Sequence, residues 1–195
     1  MNGKAELIRF ADDFIICFEH MEDAKRVMDV MGKRMERFGL SLHPEKTRLI
    51  DFRRPSLSQK GGKGPGSFDF LGFTVYWRRN GKTNKGWHVS WKTRKSRLNR
   101  AIVRIDAQCR RQMHWNMVEQ HAALVSRLRG HFNYFGVNDN AGRLELLIAV
   151  TERSWHKWLN RRSQRSKMTW ERFRDLLRDF PLPKPRVYVD LWGSP

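Results

Sequence analysis

Cysteine is nearly missing from this sequence. Cys17 and Cys109 stand far apart and form no Cys-x-x-Cys pair, which excludes a disulfide framework. The seven histidines show no zinc-ligand spacing, so no metal is assigned to them. No apolar run is long enough to span a bilayer, and the N-terminus lacks a signal-peptide pattern. The expected location is therefore the cytoplasm, with no membrane partner. Acids are scarce as well: Asp and Glu number 20 against 39 Lys and Arg, a net charge of +19. Such an excess concerns partners rather than fold, and it favours polyanions. An acidic protein surface or an anionic membrane also satisfies charge alone. A disordered basic tail does not fit, because aromatic residues make up 12% of the chain and eight of them are Trp. Folded nucleic-acid binding is the leading class. At 195 residues the chain holds one domain or two small ones.

What is present begins with Leu7-Ile8-Arg9-Phe10-Ala11-Asp12-Asp13-Phe14-Ile15-Ile16-Cys17-Phe18. Two runs rich in β-branched and aromatic residues flank an Asp-Asp pair and read as a hairpin. Their apolar content suits a buried, central pair of strands. Adjacent carboxylates repel one another unless a cation sits between them. Mg²⁺ takes carboxylate oxygens and substrate phosphates, so the tip is either a divalent-metal site for phosphoryl transfer or a solvated turn.

Glu22 to Phe38 reads as a helix. Ala24, Val27, Met28, Met31, Met35 and Phe38 recur at spacings of three and four. Glu22 and Asp23 suit its first turn and Gly39 its end. Leu40 to His43 and Arg48 to Phe52 read as short strands around a Pro44–Thr47 turn. Arg53 to Ser67 is a basic loop, either a solvated linker or a phosphate contact. Phe68 to Trp77 reads as one strong strand in which Gly72 marks a bulge or a close backbone approach. Asn80-Gly81 suits a tight turn, and Trp87 to Trp91 a return strand.

From Lys92 onward the pattern is helical and basic. A first helix is expected over Thr93 to Arg111, with Leu98, Ile102, Ile105 and Cys109 as its apolar stripe. Between Lys92 and Arg111 the only acid is Asp106, among Lys92, Arg94, Lys95, Arg97, Arg100, Arg104, Arg110 and Arg111. Such a surface attracts a phosphate backbone. Asn116 with Glu119 has the form of a capping box opening a second helix. Gly130 to Gly136 follows as an aromatic segment. A third helix is expected over Ala141 to Arg161, and Thr169 caps a short fourth one. Pro181 to Pro185 is an extended exit. The fold class read from this order is α+β: an antiparallel sheet portion with one packed helix over residues 1–91, then a helical bundle over 92–195.

Three motifs stand in order: Phe10-Ala11-Asp12-Asp13, Gly39-Leu40-Ser41-Leu42-His43-Pro44-Glu45-Lys46-Thr47, and Phe68-Asp69-Phe70-Leu71-Gly72-Phe73. Together they resemble the C-terminal half of group II intron reverse transcriptases, the intron-encoded maturases. The helical part, with Arg129-Gly130-His131-Phe132-Asn133-Tyr134-Phe135, is similar to that family's thumb. The resemblance implies a partial palm sheet followed by a helical thumb, and an RNA-directed DNA polymerase that also binds intron RNA to assist splicing and mobility. It implies Mg²⁺ as cofactor, held by Asp12 with Asp13 beside it. It places Lys46 near the incoming nucleotide's phosphates as a catalytic ammonium, and Leu71, Gly72 and Phe73 in the primer grip. Lys92, Arg94, Lys95, Arg97, Arg100 and Arg104 would hold template–primer duplex and group II intron RNA. Phe10 stands where the family usually has Tyr. The family's fingers and first palm carboxylate have no counterpart in this sequence. The expectation is therefore a chain that does not polymerise alone and needs a separate fingers–palm chain or a second copy. The rival is a stand-alone basic RNA-binding module without catalysis. Either way, the hairpin is expected to leave apolar strand surface exposed.

Overall fold

The computed structural model describes residues 1–56, 66–79, 86–163 and 167–191. Among these residues the fold is α+β, with five helices and two small antiparallel sheets. Two compact units are present. One comprises Met1–Leu71 with Val75–Val89, the other Gly72–Thr74 with Ser90–Pro195.

The first unit opens with β1 (Ala5–Phe10) and β2 (Asp13–Phe18), paired antiparallel from Ala5 opposite Phe18 to Phe10 opposite Asp13. Helix α1 (Met21–Glu36) follows. Ala24 is buried while Val27, Met28, Met31 and Met35 are half-buried, as the spacing predicts; Phe38 is exposed. Gly39 takes a left-handed conformation (φ 69°), and the Leu40 N–H returns to the Met35 carbonyl at 3.1 Å. Glycine adopts that conformation without a Cβ clash, which ends the helix. Asp23 sits in the first turn of α1, as expected. It is buried, and its Oδ2 accepts the N–H groups of Asn2 (2.7 Å) and Gly3 (3.0 Å). Burial acts to raise its pKa, but these N–H groups and Arg26 hold it below the ordinary carboxylate value.

Two expected strands are irregular instead. Residues 40–43 and 48–52 form no regular ladder. Around the Pro44 turn, the His43 carbonyl accepts both Lys46 N–H (3.2 Å) and Thr47 N–H (2.9 Å). Farther on, side chains replace strand pairing. Phe52 packs edge-on to Phe68 at 5.0 Å and stacks with Trp77 at 5.5 Å, and its carbonyl accepts the Trp77 indole N–H at 3.1 Å. Most of the basic loop and the Asn80-Gly81 turn lie outside the described residues.

The single strand expected over Phe68 to Trp77 is in fact a hairpin. β3 (Ser67–Phe70) and β4 (Phe73–Arg79) are joined by Leu71 and Gly72, both at positive φ (48° and 81°). A two-residue link with positive φ at both positions matches the twist of antiparallel strands. β5 (Trp87–Thr93) completes the sheet in the order β3-β4-β5.

Helices α2 (Lys95–Gln112), α3 (Met117–Phe135), α4 (Ala141–Asn160) and α5 (Trp170–Asp179) build the second unit. Thr93, expected in α2, instead ends β5. The aromatic segment from Gly130 is not a separate element: α3 runs through it and stops at Gly136. Phe132 and Phe135 extend the buried face of Leu124 and Leu128. Burying large side chains, about 1.5–3 kcal/mol each, outweighs the roughly 1 kcal/mol penalty of an internal glycine. The core joins these to Leu98, Ile105 and Cys109 of α2, Leu144, Leu147, Trp155 and Leu159 of α4, and Phe173 of α5. Trp155 is held by its indole N–H to Gln120 Oε1 at 2.9 Å. Asn116 accepts from Glu119 N–H at 2.8 Å and Thr169 from Arg172 N–H at 3.3 Å, so each helix opens on a side-chain N-cap.

Several polar groups are enclosed in this unit, and one of them links three segments. Asn140, with 0% of its surface exposed, accepts the Thr93 N–H at 2.8 Å. Its amide nitrogen donates to Thr93 Oγ1 (2.8 Å) and the Phe135 carbonyl (2.7 Å). Asn140→Ala strands these partners in a dry site, at about 1–3 kcal/mol for each group left unpaired. Urea unfolding should show the variant about 3 kcal/mol less stable. A loss within about 0.5 kcal/mol would mean that the site readily admits water.

Candidate functional site

In the first unit the candidate site is the tip of the β1–β2 hairpin. With Phe10 opposite Asp13, the link is only Ala11 and Asp12. Ala11 sits at φ 54°, a conformation that favours glycine and stores strain in other residues. Arg9 Nε braces the link by donating to the Ala11 carbonyl at 2.8 Å. Asp12 lies in the turn and Asp13 begins β2, both exposed. Their oxygens are the hard donors that Mg²⁺ prefers, and Mg²⁺ commonly takes one or two carboxylates while keeping water and phosphate ligands. The donor set therefore fits the ion, but it is partial. Among the described residues no group of three or more His, Cys, Asp or Glu is placed to hold a metal.

The strands behind the tip are not the buried pair that their composition suggests. Every residue of β1 is exposed, including Leu7 (63%), Ile8 (50%) and Phe10 (63%). The cause is topological: among the described residues β2 is the one strand paired with β1. Lys46 lies in the exposed turn after His43. Among the described residues no hydrogen bond or ion pair ties it to Asp12 or Asp13.

The second unit brings together residues that sequence reasoning had kept apart. The Gly72 carbonyl accepts the Arg94 N–H at 2.9 Å. A Cβ on Gly72 would lie 3.4 Å from the Phe135 ring and 3.8 Å from Arg97 Cγ. Phe73 packs edge-on to Phe135 (5.1 Å) and Trp91 (6.2 Å) and is stacked with Tyr134 (6.1 Å). The turn, the basic helix and the aromatic end of α3 thus form one cluster. In the sequence, Tyr134, Phe135 and His131 are marked by an aromatic run between two glycines.

Arg97, Arg100 and Arg104 recur at spacings of three and four and are exposed along α2. Lys92 lies in β5, Arg94 is the N-cap residue and Lys95 begins the helix. The first turn of α2 holds no acid. Cations there oppose the helix dipole, so local stability is given up for a concentrated positive potential. Such a potential draws anions.

Two groups in this unit, buried Cys109 and half-buried His131, are chemically quiet. Burial pushes the Cys109 thiol up to about 12, which removes it as a nucleophile. Burial also lowers His131 to about 4. Its ring lies 4.5 Å from Phe135, and its Nε2 has no partner among the described residues.

Residues 2–75 match the family described as reverse transcriptase (RNA-dependent DNA polymerase). The matched stretch contains the Asp-Asp tip, α1, Lys46 and the Leu71–Phe73 turn, and it ends before the helices of the second unit. No curated protein matches the chain.

Two outcomes test this geometry. Gly72→Ala forces a Cβ into left-handed backbone against the Phe135 ring and should cost about 1–2 kcal/mol in urea unfolding. The unfolded imidazole of His131 takes its proton near 6.5, and the folded one near about 4. The unfolded chain binds more protons across that window, so this contribution is complete above it and is lost as pH falls through it. His131→Phe should lose less melting temperature than the parent chain between about pH 7 and about pH 5. Equal losses would show that the imidazole stays hydrated in the fold.

Proposed function

We propose that this chain supplies the metal-holding hairpin and the RNA-holding helical unit of a group II intron-encoded reverse transcriptase and maturase. The observation that carries this reading is the reverse transcriptase match over residues 2–75, with an adjacent carboxylate pair at a braced hairpin tip inside it. Asp12 and Asp13 would hold Mg²⁺. When bound, that ion neutralises charge on the attacking and leaving oxygens of phosphoryl transfer. Lys46 would meet the phosphates of the incoming nucleotide, where an ammonium stabilises the departing charge. The Leu71–Phe73 turn would receive the primer backbone, which approaches closely over a glycine. Lys92, Arg94, Lys95, Arg97, Arg100 and Arg104 would grip template–primer duplex and intron RNA.

Two carboxylates are a poor clamp for in-line displacement. The reading therefore assigns the remaining ligands to a fingers–palm region outside residues 1–195, or to carboxylates of a second copy. The incomplete donor set also supports a second reading, a basic RNA-binding module without catalysis.

Primer extension on an RNA template with Mg²⁺ separates the two. The chain alone is expected to be inactive. With a fingers–palm chain of the same family added, it should extend a primer, and Asp12→Ala should abolish that activity. Structured RNA should bind equally to the parent chain and to Asp12→Ala/Asp13→Ala. Neutralising Arg97, Arg100 and Arg104 to Gln should weaken binding and flatten its salt dependence by roughly 2–3 in log–log slope. RNA binding without extension in either mixture would leave the module reading. Binding to structured RNA no tighter than to a random RNA of equal length would sink the module reading.

A further inference from the structure

A second basic cluster lies away from the Arg97–Arg104 stripe. Trp158 of α4 is half-buried, and its indole N–H donates to Asp106 of α2 at 3.0 Å. Lys157 Nζ donates to the same carboxylate at 3.1 Å and stands 4.7 Å from the Trp158 ring centroid. Two guanidinium groups reach the same ring. The central carbon of Arg110 lies 5.6 Å from its centroid, and that of Arg161 lies 5.2 Å away. All three cations are thus within the range of attraction to an indole face.

The charges around this ring do not balance. Among the described residues Asp106 is the one carboxylate bonded to this cluster, and Trp158, Lys157 and the Ser154 hydroxyl already engage it. Burial acts to raise the Asp106 pKa, but these hydrogen bonds hold it below the ordinary value, so it stays ionised. Arg110 and Arg161 are exposed, and neither pairs with a carboxylate among the described residues. Cations gathered on one ring repel one another, and an anion that bridges them relieves the repulsion. Guanidinium restrained by an aromatic ring loses less freedom on binding than one on a mobile side chain, and its planar N–H edge matches a phosphate in bidentate geometry.

We propose that Arg110, Lys157 and Arg161, assembled on the Trp158 indole, form a second phosphate-binding patch that holds the backbone of bound RNA. This rests on the RNA-binding reading above. The patch lies on a different flank of α2 from the arginine stripe: at 3.6 residues per turn, Arg110 is rotated about a third of a turn from the Arg97–Arg104 line. An RNA held at both flanks curves around the helix. Nucleic acid is favoured over an acidic protein surface because two unpaired guanidinium edges suit phosphates in succession along a backbone.

The test uses the full chain and a structured RNA hairpin with a single-stranded flank, with binding measured across a KCl series. Arg110→Gln/Arg161→Gln should bind about ten-fold more weakly, with a log–log salt slope shallower by roughly 1.5, as loss of two phosphate contacts requires. Its melting temperature should be unchanged, because both side chains are on the surface. Arg110→Lys/Arg161→Lys should keep the slope and still lose affinity several-fold, since ammonium lacks the planar edge. Combined with the Arg97, Arg100 and Arg104 substitutions, the losses should multiply. Unchanged affinity and slope in the double variant, with a deficit in the stripe variant, would overturn the patch alone. Unchanged binding in both variants would overturn the RNA-binding reading itself. Loss of binding to phosphatidylserine vesicles without loss of RNA binding would assign the patch to an anionic membrane and also overturn the proposal.

Discussion

The Asn140 side chain ties together the segments on which the second unit depends. Its amide joins the last residue of β5, the C-terminal carbonyl of α3 and the start of α4 in one enclosed network. Helix packing by apolar surface alone tolerates sliding, because burial has no direction. A dry amide with three short hydrogen bonds has direction, and leaving any partner unpaired is expensive. The position of Thr93 determines where α2 begins. Gly72 can then bond to Arg94 N–H and present a bare Cα to Phe135. The aromatic cluster at the turn is thus downstream of one buried polar side chain.

The two units differ in how they are stabilised. The helical unit has a continuous core from Leu98 through Phe135 and Trp155 to Phe173. In the first unit β1 is exposed along its whole length, and Leu7, Ile8 and Phe10 keep half or more of their surface open to solvent. Exposed strand surface of this kind is a template for association. Its charged tip needs few contacts of its own, because a two-residue link and the Arg9 brace hold Asp12 and Asp13 in place. The carboxylates can therefore be presented even where the sheet behind them is thin.

Electrostatics follows a similar division. The first turn of α2 carries cations where the helix dipole favours acids, a local disadvantage for folding that strengthens attraction for anions. At the other end of the helix, Asp106 neutralises part of the positive charge and fixes Trp158, which in turn gathers Arg110, Lys157 and Arg161. A basic surface built in this way is patterned rather than uniformly charged.

Much of this was legible in the residues themselves. The Asp-Asp hairpin, the apolar stripes of α1 and α2, the Asn116 and Thr169 caps and the face shared by Arg97, Arg100 and Arg104 all depend on backbone period and on groups a few residues apart. Local chemistry therefore determined them. Tertiary structure decided the rest. Leu71 and Gly72 turn the chain because β3 and β4 pair across them; the same residues were compatible with one long strand. Phe52 lies outside any ladder because Phe68 and Trp77 capture its ring. The exposure of β1 depends on which strands stand beside it. The cations on Trp158 meet only because α2 and α4 pack together, and an indole about fifty residues distant leaves no mark on the sequence around Arg110. Periodicity reveals which face of an element is apolar, but it does not identify the element that will cover it.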